Sequence, residues 1–220
     1  AFTVYGVQDG GVFINESAAS GANAIEAYDL QTDDFDAIPD VSALAGRVYN
    51  PEKTWAYGAL NNGVSSDDPF NYGWGVYIPA TNSVSGWKVF VLKLRNGAYR
   101  KFQVVSLVGT TYTFRYANLD GTGLTNVTLN KSDYPGRTLA YFSVSSGTEV
   151  TVEPATGFDL LFCRYTTTLL EPGTGVEVPY VVAGVLSGRN VEVAEADGVN
   201  IQTVAYSDWK DSLRSDLDVI

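Results

Sequence analysis

The chain has few side chains suited to covalent or metal chemistry. Its 220 residues include no histidine and no methionine, and Cys163 is its one cysteine. Without histidine, a Ser/His/Asp or Cys/His catalytic centre of the usual kind and a histidine-ligated metal site are both excluded. A single thiol cannot form an internal disulfide, so burial and hydrogen bonding must hold the fold. We therefore expect a protein that is not an enzyme.

Carboxylates are numerous, but their spacing indicates no catalytic or metal-binding site. Asp33, Asp34 and Asp36 lie close together, yet they lack the glycine and the distal glutamate of a calcium-binding loop. Two carboxylates can act as acid and base in glycoside hydrolysis, but the sequence singles out no pair among its 25 acidic residues. The three aspartates are predicted to be solvated loop charges, and no metal site is expected.

Aromatic residues form the best candidate binding surface. The run at 70–77 reads Phe-Asn-Tyr-Gly-Trp-Gly-Val-Tyr, and a further tryptophan follows it. Flat rings beside flexible glycine backbone suit a planar apolar ligand or the face of a sugar. The alternative is that these rings pack a corner of a sheet. The candidate ligand-binding residues are Tyr72, Trp74, Tyr77, Trp87 and Tyr165.

Strands must position these residues. Asn96-Gly97 separates two runs of alternating apolar residues, 87–95 and 98–105, and this dipeptide is the strongest short hairpin signal. A two-residue loop predicts three facing pairs, which are Leu94 with Tyr99, Val91 with Phe102, and Lys93 with Arg100. Further strands, separated by glycine-containing turns, are predicted at 111–116, 125–129, 139–144, 149–152, 159–167, 180–186 and 191–194.

Outside this strand-rich part the pattern is weaker. We expect most of the first eighty residues to form loops between a few strands. One short helix is predicted near the C-terminus, where Ser207 can cap a turn and Trp209, Leu213 and Leu217 recur every four residues. In the run around Cys163, alternation turns the thiol either outward or, as we expect, inward as core filler.

Composition sets the class of protein. The chain is 45% hydrophobic and 13% aromatic with 22 glycines, which is typical of strands and turns and is enough for one all-β domain. A net charge of −11 repels phosphate backbones, so no nucleic acid partner is expected. No apolar run is long enough to cross a bilayer and no signal segment is visible, while both ends look trimmed.

Several strand motifs resemble the HmuY family of Bacteroidota. They are the segments Leu-Ala-Tyr-Phe-Ser-Val at 139–144, Phe-Asp-Leu-Leu-Phe-Cys-Arg-Tyr-Thr at 158–166, and Tyr-Val-Val-Ala-Gly-Val-Leu at 180–186 with Val-Glu-Val-Ala at 191–194. The hairpin 89–105, followed by Tyr-Thr-Phe-Arg-Tyr at 112–116, is similar to another element of that family. The likeness covers roughly residues 70 to 195, and its motifs are strand patterns rather than chemical signatures.

The resemblance implies a fold, a location and a ligand. It implies an all-β protein of predominantly antiparallel sheets at the outer-membrane surface or outside the cell, lipid-anchored or released, that binds haem and passes it to an outer-membrane receptor. Family members hold haem iron with two histidines or two methionines, and this chain has neither. If haem is bound, tyrosine or the Cys163 thiolate must ligate the iron, or nothing does.

Two questions of organisation and function remain open at this point. The order of the motifs indicates either a fragment spanning two modules or, as we prefer, one domain of two pseudo-repeated halves at about 1–118 and 119–220. We expect a surface ligand-binding protein for haem or another porphyrin. The alternatives are a glycan-binding module and a structural or adhesive surface domain.

Overall fold

The computed structural model describes residues 1–16, 25–51, 56–154, 158–188 and 191–214. Strands make up 39% of the chain, all pairings between strands are antiparallel, and the α-helix of the described residues, Tyr206–Trp209, is short. The prediction of an all-β fold with antiparallel sheets and a short C-terminal helix is confirmed. Among the described residues, no helix has the length and apolar character needed to span a membrane.

The strands alternate with glycine-rich turns as the sequence predicts. The glycines of these turns have positive φ angles, which a side chain would oppose; they are Gly97, Gly121, Gly136, Gly147, Gly173 and Gly198. In chain order the strands are β1 (Phe2–Thr3), β2 (Glu26–Asp29), β3 (Arg47–Val48), β4 (Gly75–Ile78), β5 (Ser83–Gly86), β6 (Phe90–Lys93), β7 (Tyr99–Val108), β8 (Thr111–Ala117), β9 (Thr125–Asn130), β10 (Leu139–Ser143), β11 (Thr148–Val150), β12 (Leu160–Leu170) and β13 (Glu177–Ser187).

The largest sheet has eight strands and is built around β7. On one edge, β7 pairs with β6 through its first half and with β5 through its second half. On the other edge it pairs with β8, which pairs in turn with β9, and a bulge lies between Val104 and Ser106. The sheet therefore runs across residue 118, where the preferred division into halves was placed.

Two smaller sheets also occur among the described residues. β1, β10 and β11 form a three-stranded sheet, and β12 and β13 form a separate two-stranded one. We call the described residues from 1 to 150 the body, and we call 160–187, which contains β12, its turn and β13, the long hairpin. The body holds one main core, whose fully buried side chains include Trp74, Phe90, Val104, Tyr112 and Phe114.

The Asn96-Gly97 hairpin forms, but its predicted register is wrong by one residue. Leu94 N–H donates to the Ala98 carbonyl and Gly97 N–H donates to the Leu94 carbonyl, each at 2.8 Å. The loop thus has about three residues rather than two, with Gly97 at a φ of +81°. Lys93 consequently faces Tyr99 instead of Arg100, so the predicted like-charge pair does not occur.

Two other strand and helix predictions need correction. No strand forms at 191–194, where Val193 makes an isolated bridge with Arg214. The short helix begins at Tyr206, directly after Ala205, so Ser207 lies inside it and does not cap it. Leu213 follows a 3₁₀ turn in extended backbone, and Leu217 lies outside the described residues. The apolar spacing therefore indicated a helix longer than the one that forms.

Buried lysines tie the loops of the body to its sheet, a feature that sequence patterns did not predict. Lys131 Nζ donates to the carbonyl oxygens of Gly6, Val7 and Asp9 at 2.5, 3.0 and 2.6 Å. Lys88 forms an ion pair with Asp29 at 2.8 Å in the interior. Buried ammonium groups need such partners, so each of these contacts fixes a loop at a defined position.

Candidate functional site

A large cavity lies between the body and the long hairpin. Its volume is about 1030 Å³, at the upper end of the range in which proteins hold small-molecule ligands. The body contributes one wall, from β1, β6, β7, β10 and β11, and the long hairpin contributes the other. Apolar side chains dominate the body's wall, among them Phe2, Leu92, Leu94, Phe102, Leu139 and Phe142.

Strand alternation explains how these side chains reach the cavity. Leu92 in β6 and Leu94, directly after its last residue, are two positions apart and both line the cavity, as alternation along extended backbone allows. Phe102 on β7 belongs to the main core, so the core continues into the cavity wall. Across the cavity, Leu161 and Cys163 share a face of β12 and pack against the cluster around Leu139. The cavity therefore needs both the body and the long hairpin.

A thiol and two phenols are among the polar groups beside this apolar surface. Cys163, Tyr141 and Tyr165 all line the cavity. Burial raises the pKa of the Cys163 thiol and also raises the pKa of the Tyr141 hydroxyl, so both groups are held in their neutral forms at pH 7. Cys163 is half-buried rather than fully buried. Cys163 and Tyr141 therefore act as weak hydrogen-bonding groups rather than as anions.

Charged groups occupy two kinds of position around the cavity. Arg95 and Arg164 line it but are exposed, so they lie where it opens to solvent. Glu16 also lines it and is only 6% exposed. A ligand in this cavity would have an apolar skeleton, would meet cations at the opening and would meet one carboxyl inside.

Of the five predicted binding residues, the large cavity includes only Tyr165 among its described lining. Trp74 is fully buried in the core, where its indole N–H donates to the Gly10 carbonyl at 2.8 Å. Tyr72 packs edge-on against Trp74 at 6.0 Å between ring centroids. Trp87 is exposed, with the Lys88 ammonium 5.4 Å from its ring centre. These aromatic residues therefore do not converge on one pocket.

Tyr77 belongs to a second, much narrower crevice. Tyr72 and Tyr77 both line it, and its volume is only about 10 Å³. The Tyr77 hydroxyl donates to the Asn82 side chain at 2.7 Å, and its ring stacks on Phe70 at 5.9 Å. Phe70 is exposed, so the stack offers one flat aromatic surface to solvent. This is the part of the molecule where the glycan alternative would apply.

No group of three or more metal-ligating side chains occurs among the described residues. The three clustered aspartates lie in an exposed loop, where Asp34 accepts hydrogen bonds from the backbone N–H groups of Asp36 and Ala37 at 3.0 and 3.2 Å. These bonds are those of a tight turn. Asp33, Asp34 and Asp36 are thus exposed loop residues whose carboxylates include a turn-forming acceptor.

Sequence reasoning missed most of the cavity wall. Phe2, Leu92, Leu139 and Glu16 come from four distant segments, and each carries only the signal of an ordinary core or loop residue. Alternation predicts which residues share a face but not which sheets face each other. Several of these wall residues lie in strand motifs noted in the sequence, but among them only Tyr165 and Cys163 were considered as ligand-binding residues.

Comparisons with known proteins do not identify a family or a function for this chain. No family model, curated protein or solved structure matches the chain. The HmuY resemblance therefore rests on the strand motifs given above and stays a prediction.

Proposed function

We propose that this protein is a surface binding protein for a bulky, largely apolar ligand, with porphyrins as the first candidates, and that it holds the ligand in the cavity between the body and the long hairpin. The observation that carries the proposal is the cavity itself, about 1030 Å³ and walled mainly by apolar side chains. Binding such a ligand releases water from apolar surface, which is the main driving force for association. Catalysis forms no part of the proposal.

Haem iron does not fit the residues of this cavity. Histidine and methionine, the usual neutral axial ligands, are absent from the chain. Thiolate and tyrosinate are the remaining options, but burial raises the pKa of Cys163 and of Tyr141 and so disfavours both anions. The apolar skeleton of a porphyrin fits, while ligation of its metal does not. Carboxylates on a porphyrin edge would lie near the exposed Arg95 and Arg164.

A titration with two porphyrins tests this proposal. Haemin and metal-free protoporphyrin should bind with affinities within about tenfold of each other, because the metal makes no bond to the protein. Haemin should produce no sharp six-coordinate Soret spectrum. A stoichiometric six-coordinate spectrum, or binding that requires iron, would contradict the proposal.

Cavity-filling variants locate the binding site. Ala183 lines the cavity and is exposed, so Ala183→Phe should fill part of the cavity without straining the core. Val108→Phe is a matched control, because Val108 is exposed at the end of β7 and lies outside the cavity lining. Protoporphyrin affinity should fall about tenfold or more in the first variant and stay unchanged in the second. Equal affinities would place the ligand elsewhere.

A second candidate function is that of an adhesive surface domain, and the long hairpin supports it. Phe162 is 77% exposed and Leu170 is 67% exposed, and Leu169 and Tyr180 are exposed elsewhere on the same hairpin. Exposed apolar groups of this density are typical of surfaces that associate with other proteins. If neither porphyrin binds, this candidate takes precedence. Sedimentation velocity at rising protein concentration would then reveal whether the chain self-associates, and Phe162→Ser should reduce that association.

A further inference from the structure

Glu16 is the one carboxyl among the described residues that line the cavity, and it is more than nine-tenths buried. Its Oε1 accepts a hydrogen bond from the backbone N–H of Asn50 at 3.2 Å. Its Oε2 is buried and has no hydrogen-bond partner among the described residues. A buried carboxyl oxygen without a donor is costly, and such groups in folded proteins usually serve a ligand, a bound water or an ion.

The neighbours of Glu16 do not satisfy this oxygen. The Thr166 hydroxyl and the charged Arg47 guanidinium both lower the pKa of Glu16, yet Thr166 Oγ1 and Arg47 Nε make no hydrogen bond in the described part of the chain. The Asn50 side chain is held by other bonds: its amide oxygen accepts from the N–H groups of Ile14 and Ala59 at 3.0 Å each, and its amide nitrogen donates one of its two hydrogens to the Ile14 carbonyl at 2.7 Å. The same side chain also lowers the pKa of Glu16. The surrounding backbone therefore holds the carboxyl in place but leaves acceptor capacity unused.

The position of Glu16 gives the cavity an internal polarity. Its carboxyl is buried, whereas the cationic residues of the lining, Arg95 and Arg164, are exposed at the opening. A carboxylate at the inner end of a ligand would meet the Glu16 carboxyl and be repelled or left without a donor. An ammonium or hydroxyl group at that end would supply the missing hydrogen.

We propose that Glu16 is the polar anchor of the cavity, and that the bound ligand carries a hydrogen-bond donor, an amine or an alcohol, at the inner end of an apolar skeleton. The inference rests on the proposed function and narrows its ligand: protoporphyrin and haemin have no amine or alcohol at their edges, so they test only the apolar surface of the cavity, whereas the ligand that fits Glu16 carries such a donor. Rotation about the Cγ–Cδ bond of Glu16, a broad two-fold torsion, can turn either carboxyl oxygen toward the donor. Any acidic group of the ligand lies at the opening beside Arg95 or Arg164.

Three probes with the same chain and different heads test this assignment. Dodecylamine, dodecanol and dodecanoate are added to the full chain with a fluorescent apolar dye bound in the cavity, and displacement of the dye reports their affinities. In the unmodified protein the amine should bind most tightly and the carboxylate most weakly, with a ratio of about tenfold or more between them.

The variant Glu16→Gln keeps the shape of the side chain and removes its charge. It should weaken the binding of dodecylamine about tenfold, leave the affinity for dodecanol within about threefold, and strengthen the binding of dodecanoate. The difference in affinity between the amine and the carboxylate should therefore narrow or change sign. Glu171→Gln is the matched control, because Glu171 is exposed in the turn of the long hairpin and away from the cavity. That control should leave all three affinities unchanged.

The outcomes separate this inference from the proposed function. If the dye does not bind, or if Ala183→Phe fails to reduce dye binding, the cavity is not a ligand site and the proposed function fails. If the dye binds in the cavity but the three probes displace it equally from the unmodified protein and from Glu16→Gln, the cavity is a ligand site and the role proposed for Glu16 is wrong. Tighter binding of dodecanoate than of dodecylamine by the unmodified protein would also overturn it. The affinities of the three probes for the unmodified protein test the inference even if Glu16→Gln does not fold.

Discussion

The body and the long hairpin are stabilised in different ways, although both are antiparallel β-structure. In the body, large side chains such as Phe90 and Phe114 are completely buried. From residue 158 onward, the side chains described as buried are those of Thr166 and Ser187, and neither is apolar. The backbone pairing of β12 with β13 nevertheless extends over eleven residues of each strand. The number of paired residues in a hairpin therefore does not determine how many of its side chains are buried.

This difference indicates which part of the molecule is held by its own core. A two-stranded hairpin without a packed face is marginally stable in water. The long hairpin gains its packing where Leu161 and Cys163 contact the body, across the cavity wall. We infer that a ligand filling the cavity would stabilise the hairpin more than the body, because the hairpin has fewer other contacts.

The sharpest test of the comparison is a pair of phenylalanine truncations. Phe114→Ala empties a site that is 0% exposed and should lower the free energy of unfolding by about 4 kcal/mol. Phe162→Ala removes a ring that is 77% exposed and should change it by less than about 0.5 kcal/mol. Urea unfolding followed by tryptophan fluorescence measures both. Similar losses in the two variants would mean that the long hairpin has a core of its own.

A second variant tests how the loops of the body are held. Lys131→Met leaves the carbonyl oxygens of Gly6, Val7 and Asp9 without their donor, and we expect a loss of about 3 kcal/mol in the free energy of unfolding. Lys210→Met is the control, since Lys210 is exposed and should contribute less than about 0.5 kcal/mol. If the two variants unfold at the same temperature, the Lys131 contacts do not stabilise the body.

The smallest expected effect lies at the junction between the two regions. Burial raises the pKa of Glu16, so the folded state retains a proton that the unfolded state loses just above the ordinary value of 4.5. Stability therefore falls as the pH rises through that window. Glu16→Gln should therefore be more stable than the parent at pH 7, and this advantage should vanish below pH 4.5. Thermal unfolding of both proteins at pH 4 and pH 7 checks the sign.

The sequence predicted local structure better than it predicted the candidate site. Alternation and turn glycines located β8 to β13, because these signals are local to each strand. The loop at Asn96-Gly97 departed from its expected type, since one additional residue in the turn shifts every pair along β6 and β7. The partners of Trp74 and the approach of Glu16 to Thr166 depend on contacts between distant segments. No local pattern encodes such contacts, so the cavity was not predicted.

Cys163 offers the most direct test of the central claim that the ligand binds between the body and the long hairpin. Its thiol is half-buried on β12 and lines the cavity, so a thiol reagent should label it slowly in the native protein and rapidly in denaturant. Metal-free protoporphyrin at about 100 times its dissociation constant should slow native labelling by up to about 100-fold at constant pH. A labelling rate that saturating, bound protoporphyrin leaves unchanged would contradict the account.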